Sequence, residues 1–540
     1  RVMERPTPEV LLNRFASLCP FPSLAVMLQA RLVPMLSAAS FFVSPRTYAR
    51  FVVSLLVFPL PAQVLALVLL PMFQACLIVG SLAVVQAMPL VVLLSRANSR
   101  RKAADAELPF FLMTLSVFVH EANPTLQEGF KRVTAIGSKV FPAFTKEGEI
   151  VARDDAFVPG SPMGVAERTF AGHPSARVRA FVQAFLKTLA TGKDISEFVR
   201  QETSFQIQKL EQSWSAFTVS VGSLAEVTFI LLALFPVGLE MVGATVSGFT
   251  SSFLFLASFA LLAVAALVFL VLTDAIQPLV YDLPPSALWL AVSLAGWGAS
   301  TVAFQGGVLG AREYILVPLC VSVLGYYETR KHYSRIRRGE EEVSAMLHDL
   351  AEESKAGVSL PEALSKLSSR AESFRSIKEP VLTFYQSTRL GLTPTEAQRR
   401  VTHPSWLVRL GFGILSIAFE TGAGFEHLEE LSSLFRRVAD ARKSVTQSMI
   451  PFMLIGAIVP VISVAAITFL AGFAQQSVPV GLPFLAVRTS QSSLILSVST
   501  VSMLSGVLLS KLLTQTVRHE VALPVLMAST LISLVAFGVV

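Results

Sequence analysis

The sequence predicts an all-α integral membrane protein with about nine transmembrane helices and two duplicated cytoplasmic helical bundles arranged as a parallel internal repeat. Three observations predict it. The chain is 53% hydrophobic and only 15% charged, with a mean hydropathy of +0.62, whereas soluble domains lie near a quarter charged. All but ten of its 81 charged side chains fall in three stretches, 1–50, 96–213 and 328–447. The heptapeptide HPSARVR at 173–179 returns as HPSWLVR at 403–409.

Residues 1–50 carry scattered charge and read as cytoplasmic or interfacial helices. Glu4, Arg5, Glu9 and Arg14 interrupt the first twenty residues, so no signal peptide is expected there. Residues 51–95 contain no charge, and about 20 apolar residues cross the hydrocarbon, so this block is a hairpin of two spans. The polar segment 96–213 forms the first bundle. Four spans follow in 214–327, near 216–239, 251–273, 286–304 and 306–327, the last taking in Arg312 and Glu313 close to one interface. The second bundle occupies 328–447. Three spans follow in 448–540, near 449–472, 491–510 and 521–540. Gly306, Gly310, Ser493, Ser497 and Ser505 are small residues suited to close packing of these spans.

With all three polar segments on one side, 42 of the 44 Lys and Arg residues share that side, leaving Arg312 and Arg488 opposite. Lys and Arg accumulate in the cytoplasm, so the N-terminus and both bundles are expected there and the C-terminus outside, in a multi-pass protein of the cell membrane. The formal charge of +7 is then a topology signal answered by anionic membrane lipids, with no nucleic acid required. Cys19, Cys76 and Cys320 are too few and too scattered for a disulfide framework or a metal motif.

The repeat extends well beyond the heptapeptide. Leu108, Phe111, Leu112 and Leu115 form an i, i+3, i+4, i+7 stripe, and Val343, Met346, Leu347 and Leu350 repeat it 235 positions later. A turn follows each stripe, at Ala122-Asn123-Pro124 and at Ala356-Gly357-Val358. The next helices begin with Leu126, Phe130 and Val133 in one segment and Leu360, Leu364 and Leu367 in the other. Pro174 and Pro404 are expected in the first turn of the helices after them. Val178, Val182, Phe185 and Leu189 form one apolar face there, matched by Val408, Phe412, Leu415 and Phe419. Gly192 and Gly422 end those helices. His173 and His403 each lack a Cys, Asp or second His at ligand spacing, so they read as helix-capping residues and not as metal ligands. Four spans separate the bundles, so both lie on one side, as in a repeat about an axis normal to the membrane.

The stretches ELPFFLMTLSVFVHEANPTLQEGF (107–130) and EEVSAMLHDLAEESKAGVSLPEAL (341–364), with the TG-turned helices after each HPS, resemble the type II secretion system F-domain family. The pattern is similar to the long archaeal platform proteins that assemble type IV pili and archaella, over roughly 96–272 and 328–510. The resemblance implies a non-enzymatic membrane platform, without cofactor, that engages a hexameric secretion ATPase and receives pilin- or archaellin-type subunits. A homodimer would suit a platform beneath a hexamer. The chain itself has no GxxxxGK[ST] motif, since Thr191-Gly192-Lys193-Asp194 lacks the upstream Gly and the following Ser or Thr. The nucleotide must therefore bind a partner. Candidate docking charges are Arg100, Arg101 and Lys102 in the first bundle and Arg335, Arg337, Arg338, Glu340 and Glu341 in the second. The same runs also serve as topology anchors. Glu226, inside an apolar span, is a candidate contact for an incoming subunit, or a residue bonded to a neighbouring helix near the interface.

Two other readings compete. A secondary transporter with duplicated halves fits the repeat but not the large polar investment outside the spans. A membrane protease of the paired-aspartate type would use Asp274 and Asp282, but neither sits in a GxGD setting.

Overall fold

The computed structural model describes residues 20–39, 44–69, 72–119, 126–157, 162–245, 251–422, 424–477 and 491–539. These residues form helices and connections, with no strand among them. The chain divides into two compact units, 1–206 and 207–540.

In the first unit, helix α1 (Pro22–Ala38) packs on α2 (Pro45–Val57), which Ser44 caps by accepting from Thr47 N at 3.1 Å. Ala25, Leu32 and Leu36 meet Tyr48, Ala49, Val52, Val53 and Leu93 in one apolar cluster. The block expected as a two-helix hairpin begins differently. Phe58-Pro59 ends α2, and a short helix α3 (Leu60–Leu69) precedes α4 (Met72–Val119). Proline lacks the N–H that a continuing helix would need.

Helix α4 runs 48 residues and carries the Leu108–Leu115 stripe, all four members of which are buried. Around it fold α5 (Leu126–Ile136), α6 (Pro142–Phe157), α7 (Pro162–Ala171) and α8 (Ala176–Ala190). Phe111 stacks on Phe144 with ring centroids 4.3 Å apart, and Phe130 lies 5.0 Å from Phe111 and 5.4 Å from Phe170. Val178, Val182 and Phe185 are buried and Leu189 half-buried. The Ala122-Asn123-Pro124 turn lies outside the described residues.

Helix α9 (Ile195–Thr245) crosses the division between the units. The second unit continues with α10 (Ser251–Ile276), α11 (Leu288–Gln305) and α12 (Ala311–Lys355). Next come α13 (Leu360–Ser369), α14 (Lys378–Arg389), α15 (Pro394–Arg400) and α16 (Trp406–Thr421). It ends with α17 (Phe425–Ser477), α18 (Gln491–Thr514) and α19 (Leu523–Ala536). Val343, Met346, Leu347 and Leu350 on α12 are each fully buried, as are Leu364 of α13 and Val408, Phe412 and Leu415 of α16. Gly357 closes α12 with φ +84°, a conformation in which only glycine is unstrained.

Among the described residues, four helical stretches are long and apolar enough to cross a membrane: Pro45–Val64, which joins α2 to the start of α3, Ile195–Leu232, Phe425–Ala466 and Leu494–Thr514. Leu262–Ile276 and Leu523–Ala536 are shorter apolar helices. The apolar cluster of the second unit joins Trp214, Phe217 and Phe229 of α9, Leu262 and Phe269 of α10, Met449 of α17, Leu508 and Leu509 of α18 and Leu526 of α19.

Of the small residues expected at close helix contacts, Ser497 and Ser505 are buried on α18. Gly306 and Gly310 lie in the turn between α11 and α12, not inside a span. A Cβ on Gly456 would instead fall 2.3 Å from Leu509, and one on Gly506 2.5 Å from Leu523. The stretch expected as a span at 306–327 begins its helix at Ala311, and that helix continues unbroken to Lys355.

Candidate functional site

Each unit buries a set of charges along one long helix, α4 in the first and α12 in the second. In the first unit, Glu107 is fully buried and accepts from the backbone N–H of Ala143 (2.8 Å) and Phe144 (2.8 Å), capping α6. In the second, Glu342 accepts from Arg375 N (3.2 Å), Ser376 N (2.8 Å) and Ile377 N (3.0 Å), just before α14. The two glutamates stand 235 positions apart.

The HPS motifs do a second shared job. Ser175 and Ser405 are the N-caps of α8 and α16, their hydroxyls accepting from Val178 N and Val408 N. Pro174 and Pro404 precede these caps and are not in the first helical turn. A cap needs a side-chain acceptor, and serine supplies it. His173 Nδ1 accepts from Ser175 N at 3.1 Å, and His403 Nδ1 from Ser405 N at 3.1 Å. The cap hydroxyls in turn donate to acids one helical turn apart from the stripe: Ser175 to Asp105 and Ser405 to Glu340. Those acids are again 235 apart.

The remaining wiring differs. In the first unit Glu147, 2% exposed, accepts a bidentate pair from Arg100, Nε to Oε1 at 2.7 Å and Nη2 to Oε2 at 2.6 Å. Arg100 Nη1 also donates to Ser37 O (2.9 Å) and Ala38 O (3.2 Å), carbonyls at the C-terminus of α1. His173 Nε2 lies 3.4 Å from Glu147 Oε1. Burial alone would raise the Glu147 pKa, but bonding and charge from Arg100 and His173 outweigh it and hold it at about 2.

In the second unit the equivalent arginine, Arg335, stays at the surface and pairs with exposed Glu379 at 3.1 Å. The cation serving Glu340 comes from α17. Arg442 bonds Glu340 through Nη1 and Asp282 through Nη2, the latter at 2.7 Å. Asp282 lies in the segment 277–287 between α10 and α11, and its Oδ1 accepts from Trp406 N at 2.7 Å. That segment is pinned against α12 and the start of α16. Leu283 N donates to Pro404 O (2.8 Å), Arg409 Nη2 to Tyr281 O (2.6 Å), and His332 Nε2 meets Leu283 O (2.8 Å). Burial pushes the Glu340 carboxyl up, with the Asp282 charge adding to it and Arg442 opposing it.

The tautomer of His403 follows from its partners. Ser376 donates its proton to Arg335 O at 2.6 Å, so its oxygen accepts from His403 Nε2–H at 3.1 Å, leaving Nδ1 free to accept from Ser405 N. Burial, with Arg335 and Arg409 nearby, lowers its pKa to about 4. The ring lies over Gly339, where an added Cβ would come 2.5 Å from Cε1.

The candidate docking charges therefore divide. Arg101, Arg338 and Glu341 are exposed, Glu341 beside Lys443 at 3.3 Å, and Arg335 is exposed in its surface pair. Lys102 is half-buried. Arg100 is engaged internally, Arg337 donates to Tyr333 and Thr446, and Glu340 is only 4% exposed, which removes these three from an open docking face. Burial selected them because their stems and acids line helix–helix contacts. Glu226 is exposed on α9 in a strip with Val219, Val227 and Ile230. Gly192 and Gly422 follow α8 and α16 with φ +64° and +68°. Asp274 pairs with Lys511 at 2.5 Å and Asp282 with Arg442, so each of the two acids holds a cation.

Applied to charged positions, the 235-residue spacing marks Asp105 with Glu340 and Glu107 with Glu342. Arg442, Glu147 and the pinning role of Asp282 carry no such signal. Among the described residues, no group of three His, Cys, Asp or Glu side chains could hold a metal ion. No protein-family model, curated protein or solved structure matches the chain.

Proposed function

We propose that this chain is the non-enzymatic membrane platform of a type IV pilus-like assembly machine. In this reading a hexameric cytoplasmic ATPase engages the two bundles, and pilin- or archaellin-type subunits are drawn from the membrane beside the apolar helices. The bundles are a parallel duplication within about nine spans, both on the cytoplasmic side of the cell membrane, with the C-terminus outside.

One observation carries the reading. Each bundle is entered and left by helices that continue into apolar sequence without a break: α4 and α9 for the first, α12 and α17 for the second, of 48, 51, 45 and 53 residues. At 1.5 Å per residue such helices are roughly 70–80 Å long. A displacement imposed on a bundle would pass along them as on a jointed rod, bending where Pro89 and Pro109 of α4, Pro318 of α12 and Pro451 and Pro460 of α17 remove a helical hydrogen bond, provided the bundle does not shear at its root. The buried charges at that root, Arg442 with Glu340 and Asp282 above all, resist such shear. A subunit's apolar helix needs an outside energy source to leave lipid, at about 0.8 kcal/mol per CH₂. A stiff link to an ATPase supplies one.

The test is cross-linked recovery of the tagged protein from its own membranes, comparing wild type with Arg101→Glu plus Arg338→Glu. A secretion ATPase captured by wild type and reduced at least tenfold in the double variant supports the platform and its exposed docking charges. Recovery of no ATPase and no pilin-type subunit with wild type would overturn the reading and direct attention to solute uptake.

A further inference from the structure

The turn 515–522 joins α18 to α19 outside the apolar helices, and it buries two titratable side chains. His519 is 2% and Glu520 1% exposed. The turn is tightly specified. Gln515 adopts φ +61°, rare for a residue with a side chain, and Ala522 N donates to Ser510 Oγ at 3.2 Å.

Glu520 is wedged between α11 and α12. It lies directly over Gly325 of α12, where a Cβ would fall 2.3 Å from Oε2, and that same point is 3.4 Å from Trp289 Cβ of α11. Oε2 accepts from Ser293 Oγ of α11 at 3.0 Å. Oε1 is buried with no hydrogen-bond partner. A carboxylate in such a slot would normally be matched by a cation, so the neighbours decide its state.

None of the facing groups supplies that cation. His519 Nδ1 lies 2.6 Å from Thr329 Oγ1, whose own proton goes to Gly325 O at 2.8 Å. Its ring packs against Tyr326 and Tyr333, and burial together with His332 holds it neutral, at a pKa of about 4. Lys511 of α18 is committed to Asp274 and to Gln515 O. His332 of α12 bonds Leu283 O, and Arg518 forms no ion pair among the described residues. From α11 only the Ser293 hydroxyl faces the acid.

We propose that Glu520 is a proton-binding site: the seated carboxyl is neutral, and loss of its proton to solvent releases the 515–522 turn from between α11 and α12. Burial against this single hydrogen bond raises its pKa to about 7, so the site titrates near neutrality. A raised carboxyl favours the seated state below the ordinary carboxylate range, and that advantage disappears as pH rises through 7. The turn is then a proton-sensitive joint between helices read as membrane-embedded and the helix that enters the second bundle.

The experiment is hydrogen exchange of the 515–522 amides in the full-length protein in lipid nanodiscs, as the wild-type to Glu520→Gln ratio at each pH. Taking the ratio cancels the pH dependence of intrinsic exchange. It should be near one at pH 4.5, rise tenfold per unit above that, and level off at about 300-fold once pH has passed 7. A ratio unchanged between those values overturns the proposal. Ser293→Ala keeps the acid but removes the bond that favours its charged form, so the midpoint of turn opening should move to higher pH. If Glu520→Gln does not fold, that shift against wild type carries the test, and an unmoved midpoint overturns the proposal.

Discussion

The two charge clusters use matching positions and different wiring. Asp105 and Glu340, Glu107 and Glu342, His173 and His403, and Ser175 and Ser405 make the same local bonds in each unit. The arginines do not correspond. Arg100 reaches inward to Glu147, whereas Arg335 stays in an exposed pair and Arg442 takes over the buried work through Glu340 and Asp282. The shared bonds all serve helix N-termini, whose unpaired N–H groups exist wherever a helix starts. A buried acid asks only for some cation, and any element passing close enough can provide it.

The largest test of this difference is Arg442→Leu against Arg335→Leu. Removing Arg442 strands the buried Glu340 and leaves half-buried Asp282 without its cation, and should cost about 3–5 kcal/mol. Arg335→Leu, in a surface pair, should cost under about 1 kcal/mol. Urea unfolding of the second unit followed by hydrogen exchange in α16 reads both. Equal losses would break the comparison. Arg100→Leu should resemble Arg442→Leu and not Arg335→Leu, although it aligns with the latter.

Acid should separate the units in a second way. Glu147 has a depressed pKa, so its contribution is present above the ordinary carboxylate value of 4.5 and is lost as pH falls toward 2. His403 is held near 4, below its usual 6.5, so its contribution is complete above 6.5 and fades between 6.5 and 4. Glu340, held up by burial, works in the opposite sense and gains as pH falls. The His403 contribution is therefore read as the difference in α16 protection between wild type and His403→Gln. It should shrink between pH 6.5 and 4 while α8 holds until lower pH; a difference that does not change with pH would break the comparison.

The smallest expected effect concerns Gly192 and Gly422. Both have positive φ with no atom within 4 Å of an added Cβ, so alanine introduces backbone strain without a clash. Each substitution should cost about 1 kcal/mol, and the two should agree closely in local exchange at the helix ends.

Much of the local architecture was readable from residue order. The 108–115 and 343–350 stripes are buried because a 3.6-residue period puts their members on one face. The HPS segments start helices because serine can bond a free N–H two or three residues ahead. Pro174 and Pro404 stand before those caps and not in the first turn, since proline's tolerance of a first turn is a permission and serine's bond is a cause. The charges misled more. Arg335, Arg337, Arg338 and Glu340 look alike as a run, yet α12 turns Glu340 inward and leaves Arg335 and Arg338 outside.

The sequence by itself determined that the described chain is helical, where its apolar blocks lie, which stripes are core and where several helices begin and end. These are consequences of periodicity and of neighbours within one or two turns. Only the tertiary structure decided that Arg442 serves Glu340 and Asp282 from 102 and 160 positions away, that segment 277–287 straps the second bundle, and that Glu520 is seated on Gly325. A buried charge acts through space at a few ångströms, and nothing in residue order marks which distant group will fill that space.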